Sequence, residues 1–255
     1  MDEFVKGISR PQPDQVEWEV RCLDWLRVAG GAPVVPVLRH DDHSLTEQKL
    51  VPVSPESRAA EEFGARLAHT HSAGAATFGA GPDGWDDEKP GWLGRARLPL
   101  GHYDRWGEFY SRIRVQPYVR QARDAGHFGP AQCAVFDSLC ARLADGDFDD
   151  DLSPARLHGD LWAGNAMYTP NGVTLIDPAA HGGHPLGDLA MLELFGFPAL
   201  EHVWRGYIAE QPAAAGWRDL IALHQVHPLL VHTVLFGGSY ADEALAAASR
   251  YISRR

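Results

Sequence analysis

Apolar residues recur at helical spacing over most of this chain, and at strand spacing only near its start and around its middle. Residues 3–6 read as the end of a strand. Pro11-Gln12-Pro13-Asp14 opens a helix that runs to Gly30-Gly31, with Asp14 as N-cap and glycine as the stop. Val16, Leu23 and Leu26 mark its buried stripe, and Glu19 falls on the same stripe. An unpaired buried carboxylate is costly, so Glu19 is expected to meet a cationic partner or a polar boundary of the core. Between residues 32 and 53 the apolar pairs Val34-Val35, Val37-Leu38 and Leu50-Val51 suggest two or three strands about an acidic turn at Asp41-Asp42. Together these segments make a small N-terminal unit, residues 1–53.

A larger, mainly helical unit follows, residues 54–255. Ser54 reads as an N-cap with Pro55 at the first helical position, and Ala60, Phe63, Leu67 and His71 carry that helix to about Ser72. Residues 74–101 are rich in Gly, Pro and Trp with little periodicity, the mark of a long functional loop or lid. Trp106, Phe109, Tyr110 and Ile113 trace a helix expected to stop before Pro117. Further helices are predicted over residues 130–143, 186–195, 203–209 and 217–236, with an acidic surface loop at 145–151. The fold class expected is α+β, with a small sheet lobe and a larger helical one.

Composition narrows the function. The 255 residues are 45% hydrophobic and 22% charged, as in ordinary globular proteins of one or two domains. A net charge of −11 without any basic stripe removes the electrostatic term that drives nucleic-acid binding. Only three of the 23 basic residues are lysines, Lys6, Lys49 and Lys89, so any functional lysine is one of these. Cys22, Cys133 and Cys140 form no short-spaced pair, which suits a reducing compartment. The start carries no basic segment leading into an apolar one, and the longest apolar run, 228–236, is broken by His232. A soluble cytoplasmic protein, without nucleic-acid or membrane partners, is expected.

The chemistry concentrates between residues 156 and 188. Ala166-Met167-Tyr168 and Val173-Thr174-Leu175-Ile176 flank Asn171-Gly172, a strong hairpin signal. Folding that hairpin sets Asn165, just before its first strand, beside Asp177, just after its second, with Asp160 on the loop leading in. Two oxygen ligands beside a further carboxylate suit Mg²⁺. Asp160 is then free to accept the proton of an attacking hydroxyl. An Asp, an Asn five residues on and an Asp twelve residues later is the kinase-type arrangement. A second reading uses His158, Asp160, Asp177, His181 and His184 as a transition-metal site for hydrolysis. It leaves Asn165, Lys6 and Glu19 without a role.

His158-Gly159-Asp160-Leu161-Trp162-x-Gly164-Asn165, then Ile176-Asp177-Pro178-Ala179 and Gly187-Asp188-Leu189-Ala190-Met191, resembles the fructosamine kinase family, relatives of aminoglycoside and choline kinases within the protein-kinase-like fold. Phe4-Val5-Lys6, Glu19-Val20, the Phe109 to Pro117 segment, Leu194-Phe195-Gly196 and Leu235 to Tyr240 follow in the family's order, so the likeness spans nearly the whole chain. The resemblance implies a bilobal kinase that binds ATP and Mg²⁺ in its cleft. Its acceptor would be a ketoamine, free or protein-bound, phosphorylated at O3; fructosamines, ribulosamines or shorter sugars qualify, and aminoglycosides or amino-alcohols are the alternative. It implies Asp160 as base, Asn165 and Asp177 on the metal, Lys6 on the nucleotide phosphates with Glu19 as its partner, and Trp162 as a wall for the sugar or its amine. Asp188 would anchor the loop carrying Asp160, and His158 would be a packed core residue. His232 and Tyr240 match positions near the acceptor. Arg112 and Arg114 are open to two roles, meeting a substrate carboxylate or phosphate or pairing with local acids.

The sequence departs from the family pattern at its start, where only five residues precede Lys6 and the two strands and glycine-rich, phosphate-covering turn are missing. Two expectations follow. Either the chain begins inside a longer protein, which the intact Lys6, Glu19, Asp160, Asn165 and Asp177 favour, or it is a shortened relative that binds without catalysing. In both cases the small sheet would expose a pairing edge, with dimerisation or poor solubility as the consequence.

Overall fold

The computed structural model describes residues 2–7, 14–86 and 88–253. Its N-terminal unit is a three-stranded antiparallel sheet, β1 (Glu3–Gly7), β2 (Val37–His40) and β3 (Ser44–Gln48), in the order β1-β3-β2, together with helix α1 (Gln15–Leu26). β1 lies at the edge of that sheet, and Phe4 and Val5 are exposed on it. Asp41 shapes the tight turn between β2 and β3 by accepting from the His43 and Ser44 amides. Leu50-Val51 is not a strand. The third strand is instead Ser44-Leu45-Thr46-Glu47-Gln48, whose mostly polar sequence hides the pattern because Thr46 and Glu47 are buried.

The buried stripe of α1 is as expected, with Val16, Leu23 and Leu26 in the core and Glu19 beside them. Its ends are not. Asp14 occupies the N-cap position at φ 66° with no capping bond and pairs with Lys89 instead; the helix stops at Leu26, well before Gly30. Pro11 to Pro13 lie outside the described residues.

The helical unit begins with α2 (Ser57–Ser72), two residues after the expected proline start; Ser54 is not its cap. Residues 74–101 are not a structureless lid. They include a hairpin, β4 (Gly91–Leu93) and β5 (Ala96–Leu98), fastened to α1 by the Trp18 indole donating to the Trp92 carbonyl at 2.9 Å, while Trp85 earlier in the segment packs edge-on against Trp18 at 5.0 Å. Pro117 does not end the next helix. α3 (Trp106–Phe109) widens into a π-helical segment over Tyr110–Val115, and α4 (Gln116–Asp124) starts beyond it, with Pro117 in its first turn where no backbone donor is required.

Helix α5 (Pro130–Asp145) precedes strands β6 (Ala155–Leu157), β7 (Ala166–Thr169), β8 (Gly172–Leu175) and β9 (His181–Gly183). β7 and β8 form the predicted hairpin, but Thr169 pairs with Gly172, so the two turn residues are Pro170-Asn171 rather than Asn171-Gly172. Helices α6 (Leu186–Leu194), α7 (Leu200–Glu210), α8 (Ile221–Phe236) and α9 (Tyr240–Ser249) complete the fold, with a 3₁₀ segment over Pro212–Leu220 leading into α8. α9 has no counterpart in the sequence reading. The run Pro212–Phe236 is long and apolar enough to cross a membrane, yet half of its most apolar stretch is buried inside the fold.

One apolar cluster joins α1 and Val34-Val35 to α2, the β7–β8 hairpin, α6 and α7, so the core runs across residue 53 without a break. A second cluster packs α4, α5, α8 and α9. Residues 33–35 run beside β8, with the Val35 amide donating to the Leu175 carbonyl and the Leu175 amide to the Pro33 carbonyl. That contact ties the N-terminal unit to the hairpin end that carries Asp177.

Candidate active site

Strand pairing brings the site together. β6 pairs with β9 through Leu157 and His181, so the chain leaving β6 as His158-Gly159-Asp160 runs alongside residues 177–181. Gly159 has φ 80°, and a Cβ there would lie 2.1 Å from the Ala179 carbonyl oxygen; only glycine fits. The loop is fixed from α6, where the Asp188 carboxylate accepts from the His158 amide at 2.7 Å and the Gly159 amide at 2.9 Å. Burial alone would raise the Asp188 carboxyl, but its hydrogen bonds, first that with His71 Nε2 (3.1 Å), outweigh burial and hold it low. Burial also depresses His158. Its ring is neutral, with Nε2 donating to the Ile176 carbonyl at 3.0 Å and Nδ1 accepting from the Asp160 amide at 3.2 Å.

The two ends of the β7–β8 hairpin meet as the turn requires. The Ile176 amide donates to the Asn165 carbonyl at 3.0 Å, and Asn165 Nδ2 lies 3.5 Å from the Asp177 carbonyl oxygen. The same Nδ2 donates to the Asp160 backbone oxygen at 2.9 Å and to its carboxylate at 3.0 Å. Burial pushes the Asp160 carboxyl up to about 7; the Asn165 hydrogen bond opposes this, and the neighbouring Asp177 charge adds to it.

Asp177 adopts φ 53°, a left-handed conformation that costs a non-glycine residue on the order of 1 kcal/mol. In it the carboxylate reaches Lys6, whose ammonium lies 2.7 Å from Asp177 Oδ1 and 2.8 Å from Glu19 Oε1. Burial would lower the Lys6 ammonium, yet the attraction of Glu19 and Asp177 prevails and raises it. Glu47 on β3 joins the group, so that oxygens of Glu19, Glu47 and Asp177 lie within 4.8 Å of one another. Burial raises the Glu47 carboxyl to about 7, and its Oε1 has no hydrogen-bond partner among the described residues. Three carboxylates against one ammonium leave an excess of negative charge. Oxygen donors of this kind, with Asp177 still 41% exposed, fit a hard divalent cation such as Mg²⁺.

Two cavities meet over this arrangement. One, about 610 Å³, is lined by Lys6, Glu19, Asn165 and Asp177. The other, about 790 Å³, has aromatic and histidine side chains of α3, α8 and α9 in its lining. Asp160, Trp162, Gly94 and Arg95 border both. A Cβ on Gly164 would fall 2.4 Å from the Trp162 indole, so glycine leaves the room in which that ring lies, edge-on to Phe195 at 6.3 Å.

Known proteins share this arrangement of sequence and fold. The profile of the fructosamine kinase family matches residues 18–254. This chain belongs to the fructosamine kinase family. A "probable ketoamine kinase" of Synechocystis, slr1563, is 35% identical over 185 residues, a match that takes in 71% of this chain and 58% of that protein. The crystal structure of a "putative fructosamine-3-kinase" from Thermobifida fusca superposes with a TM-score of 0.87 at 41% identity, covering 97% of this chain and 85% of that one. At the level of fold alone, the likeness extends to aminoglycoside phosphotransferase APH(4)-Ia, crystallised with AMP-PNP and hygromycin B (TM-score 0.59, 17% identity, 97% and 93% covered). The expected kinase-like α+β fold is therefore the fold of this family member.

Of the residues singled out in the fructosamine kinase pattern, Lys6, Glu19, Asp160, Asn165, Asp177 and Trp162 all border the two joined cavities. The alternative transition-metal set does not come together. His158 spends both ring nitrogens on the backbone, His181 Nδ1 bonds the Ala179 carbonyl, and His184 bonds Asp150 and the Leu186 amide. Among the described residues its members form no ligand cluster. Glu47, Arg95 and Gln15, which ties α1 to the β4–β5 turn through the Gly94 carbonyl at 2.9 Å, were not visible in the sequence. Nothing local marks them; each is brought in by long-range packing.

Proposed function

We propose that this protein is an ATP-dependent phosphotransferase that phosphorylates O3 of a ketoamine sugar, of the fructosamine or ribulosamine kind. The observation that carries the reading is the position of Asp160, hydrogen-bonded to Asn165 where the two cavities join. ATP would occupy the smaller cavity and the ketoamine the larger. Lys6, positioned by Glu19, would contact the nucleotide phosphates, and Asn165 and Asp177 would hold Mg²⁺, which when bound neutralises phosphate charge. The acceptor hydroxyl gives its proton to the Asp160 carboxylate as its oxygen bonds the γ-phosphorus and the bond from that phosphorus to the bridging oxygen breaks, releasing ADP. A carboxyl with a pKa near 7 suits that proton transfer, being ionised in a large fraction of molecules yet basic enough to accept a proton. Trp162 would form a wall beside the reacting sugar. A soluble cytoplasmic setting agrees with the three unbridged cysteines.

The test is ADP release with Mg²⁺-ATP against a panel of ribulosamines, fructosamines and aminoglycosides, with phosphorus NMR to place the new ester. Turnover of a ketoamine that is lost in Asp160→Asn supports the reading. Nucleotide binding without turnover of any acceptor would leave a non-catalytic binding protein in its place.

A further inference from the structure

Arg112 and Arg114 divide the two roles open to them. Arg112 pairs with Glu108 one turn back, at 3.0 Å. Arg114 is 1% exposed and has no carboxylate partner among the described residues. Its Nη1 donates to the Pro99 and Ile113 carbonyls, its guanidinium lies 4.8 Å over the Phe109 ring, and its Nε and Nη2 have no hydrogen-bond partner among the described residues. Burial pulls it down only to about 10, so it carries its charge at neutral pH. A buried, unpaired guanidinium with two free donors is expensive to maintain.

The surroundings are built around this residue. Arg114 sits in the π-helical segment, a rare form that is frequent at functional sites. It lines the larger cavity together with Asp160 and with His227, whose Nε2 is also buried without a partner. Across from it, Pro228 inside α8 has no N–H to offer the His224 carbonyl. The Tyr110 hydroxyl takes over, lying 3.1 Å from that carbonyl and 2.9 Å from that of Leu223 while accepting from the His227 amide at 3.0 Å. Tyr110 therefore ties the π segment to α8 beside Pro228, and Arg114 and His227 line the same cavity.

We infer that Arg114, with His227, is an oxyanion-binding subsite that makes the protein select ketoamine acceptors carrying a carboxylate or a phosphate. The paired Nε and Nη2 donors of a guanidinium match two oxygens of either group. The anion would come from the amine side, as the carboxylate of an amino-acid adduct, or from the sugar side, as a terminal phosphate. This rests on the acceptor reading of the larger cavity given above.

Calorimetric binding to the intact protein without nucleotide separates the possibilities, using ribulosyl-glycine, the neutral ribulosyl-glycinamide, and ribulosyl-glycinamide bearing a 5-phosphate. One of the two anionic compounds is expected to bind about 10- to 100-fold more tightly than the neutral one, and which of them does so names the source of the charge. Equal binding of all three would overturn the proposal, and that comparison needs no variant. Arg114→Lys, checked for folding by its melting curve, is expected to shrink the preference to a few-fold; an undiminished preference in the folded variant would also overturn it. Because binding is read without ATP, an intact anion preference without turnover would count against phosphotransfer alone.

Discussion

Asn165 donates one amide nitrogen both to the backbone oxygen and to the carboxylate of Asp160, at 2.9 and 3.0 Å. A residue assigned to the metal thus also steers the residue assigned as base. In Asn165→Ala the hydrogen bond that favours ionised Asp160 is lost, so the acid limb of the pH–rate profile should move to higher pH. The Mg²⁺ concentration for half-maximal rate should rise as well. Steady-state rates across pH at several Mg²⁺ concentrations report both shifts, and movement of only one would separate the two roles.

In the proposed role of base, the raised Asp160 carboxyl should set the pH dependence of the wild type. The base works only when ionised, so kcat/KM should climb with pH through a midpoint near 7, where an ordinary exposed aspartate would already have reached its plateau by pH 5. Asp160→Asn should lower kcat about 10²- to 10⁴-fold and remove that limb. A profile flat between pH 5 and 8 would remove Asp160 from the role of base.

Glu47 gives a stability prediction with a definite sign. Its carboxyl is raised to about 7 by burial, against an ordinary value of 4.5, so between those pH values the folded protein holds a proton that the unfolded chain has released. Stability contributed by the protonated form is complete below about 4.5 and falls as pH rises toward 7. Glu47→Gln keeps the shape without the charge and should raise the melting temperature at pH 8 by an amount equivalent to about 1–3 kcal/mol, with little change at pH 4.5. Melting curves at the two pH values check it; an equal effect at both would show that charge is not the cause.

Lys6 sits between two carboxylates, and its removal strands them. Lys6→Met should destabilise the fold by about 3 kcal/mol, because Glu19, Glu47 and Asp177 would then repel one another without compensation. Glu19→Gln should be far milder for stability, since the Lys6–Asp177 contact remains, but should weaken the thermal shift produced by Mg²⁺-ATP by freeing the lysine to move. Denaturant titration and nucleotide-dependent melting distinguish the two effects.

Much of the site is legible before folding, for local reasons. A two-residue turn forces the ends of its strands together, so Asn165 and Asp177 are neighbours whatever surrounds them, even though the turn falls one residue earlier than Asn171-Gly172 suggests. Helical period puts Glu19 on the buried face of α1, and a buried carboxylate requires a partner. Less follows where local signals compete with packing. The polar sequence of β3 conceals a strand, and proline, read as a stop at Pro117, is accommodated at the start of a new helix after the π segment.

The spacing of apolar and polar residues by itself determined the helical body, the hairpin and the polar pair at its ends, Asn165 and Asp177, because turns and helical repeats act over a few residues. Only tertiary structure decided that Glu47 joins Glu19 and Asp177, and that Arg114 is buried without a counter-charge among the described residues while Arg112 has one. Charge pairing and desolvation depend on what the chain packs against from afar, and no local pattern carries that information.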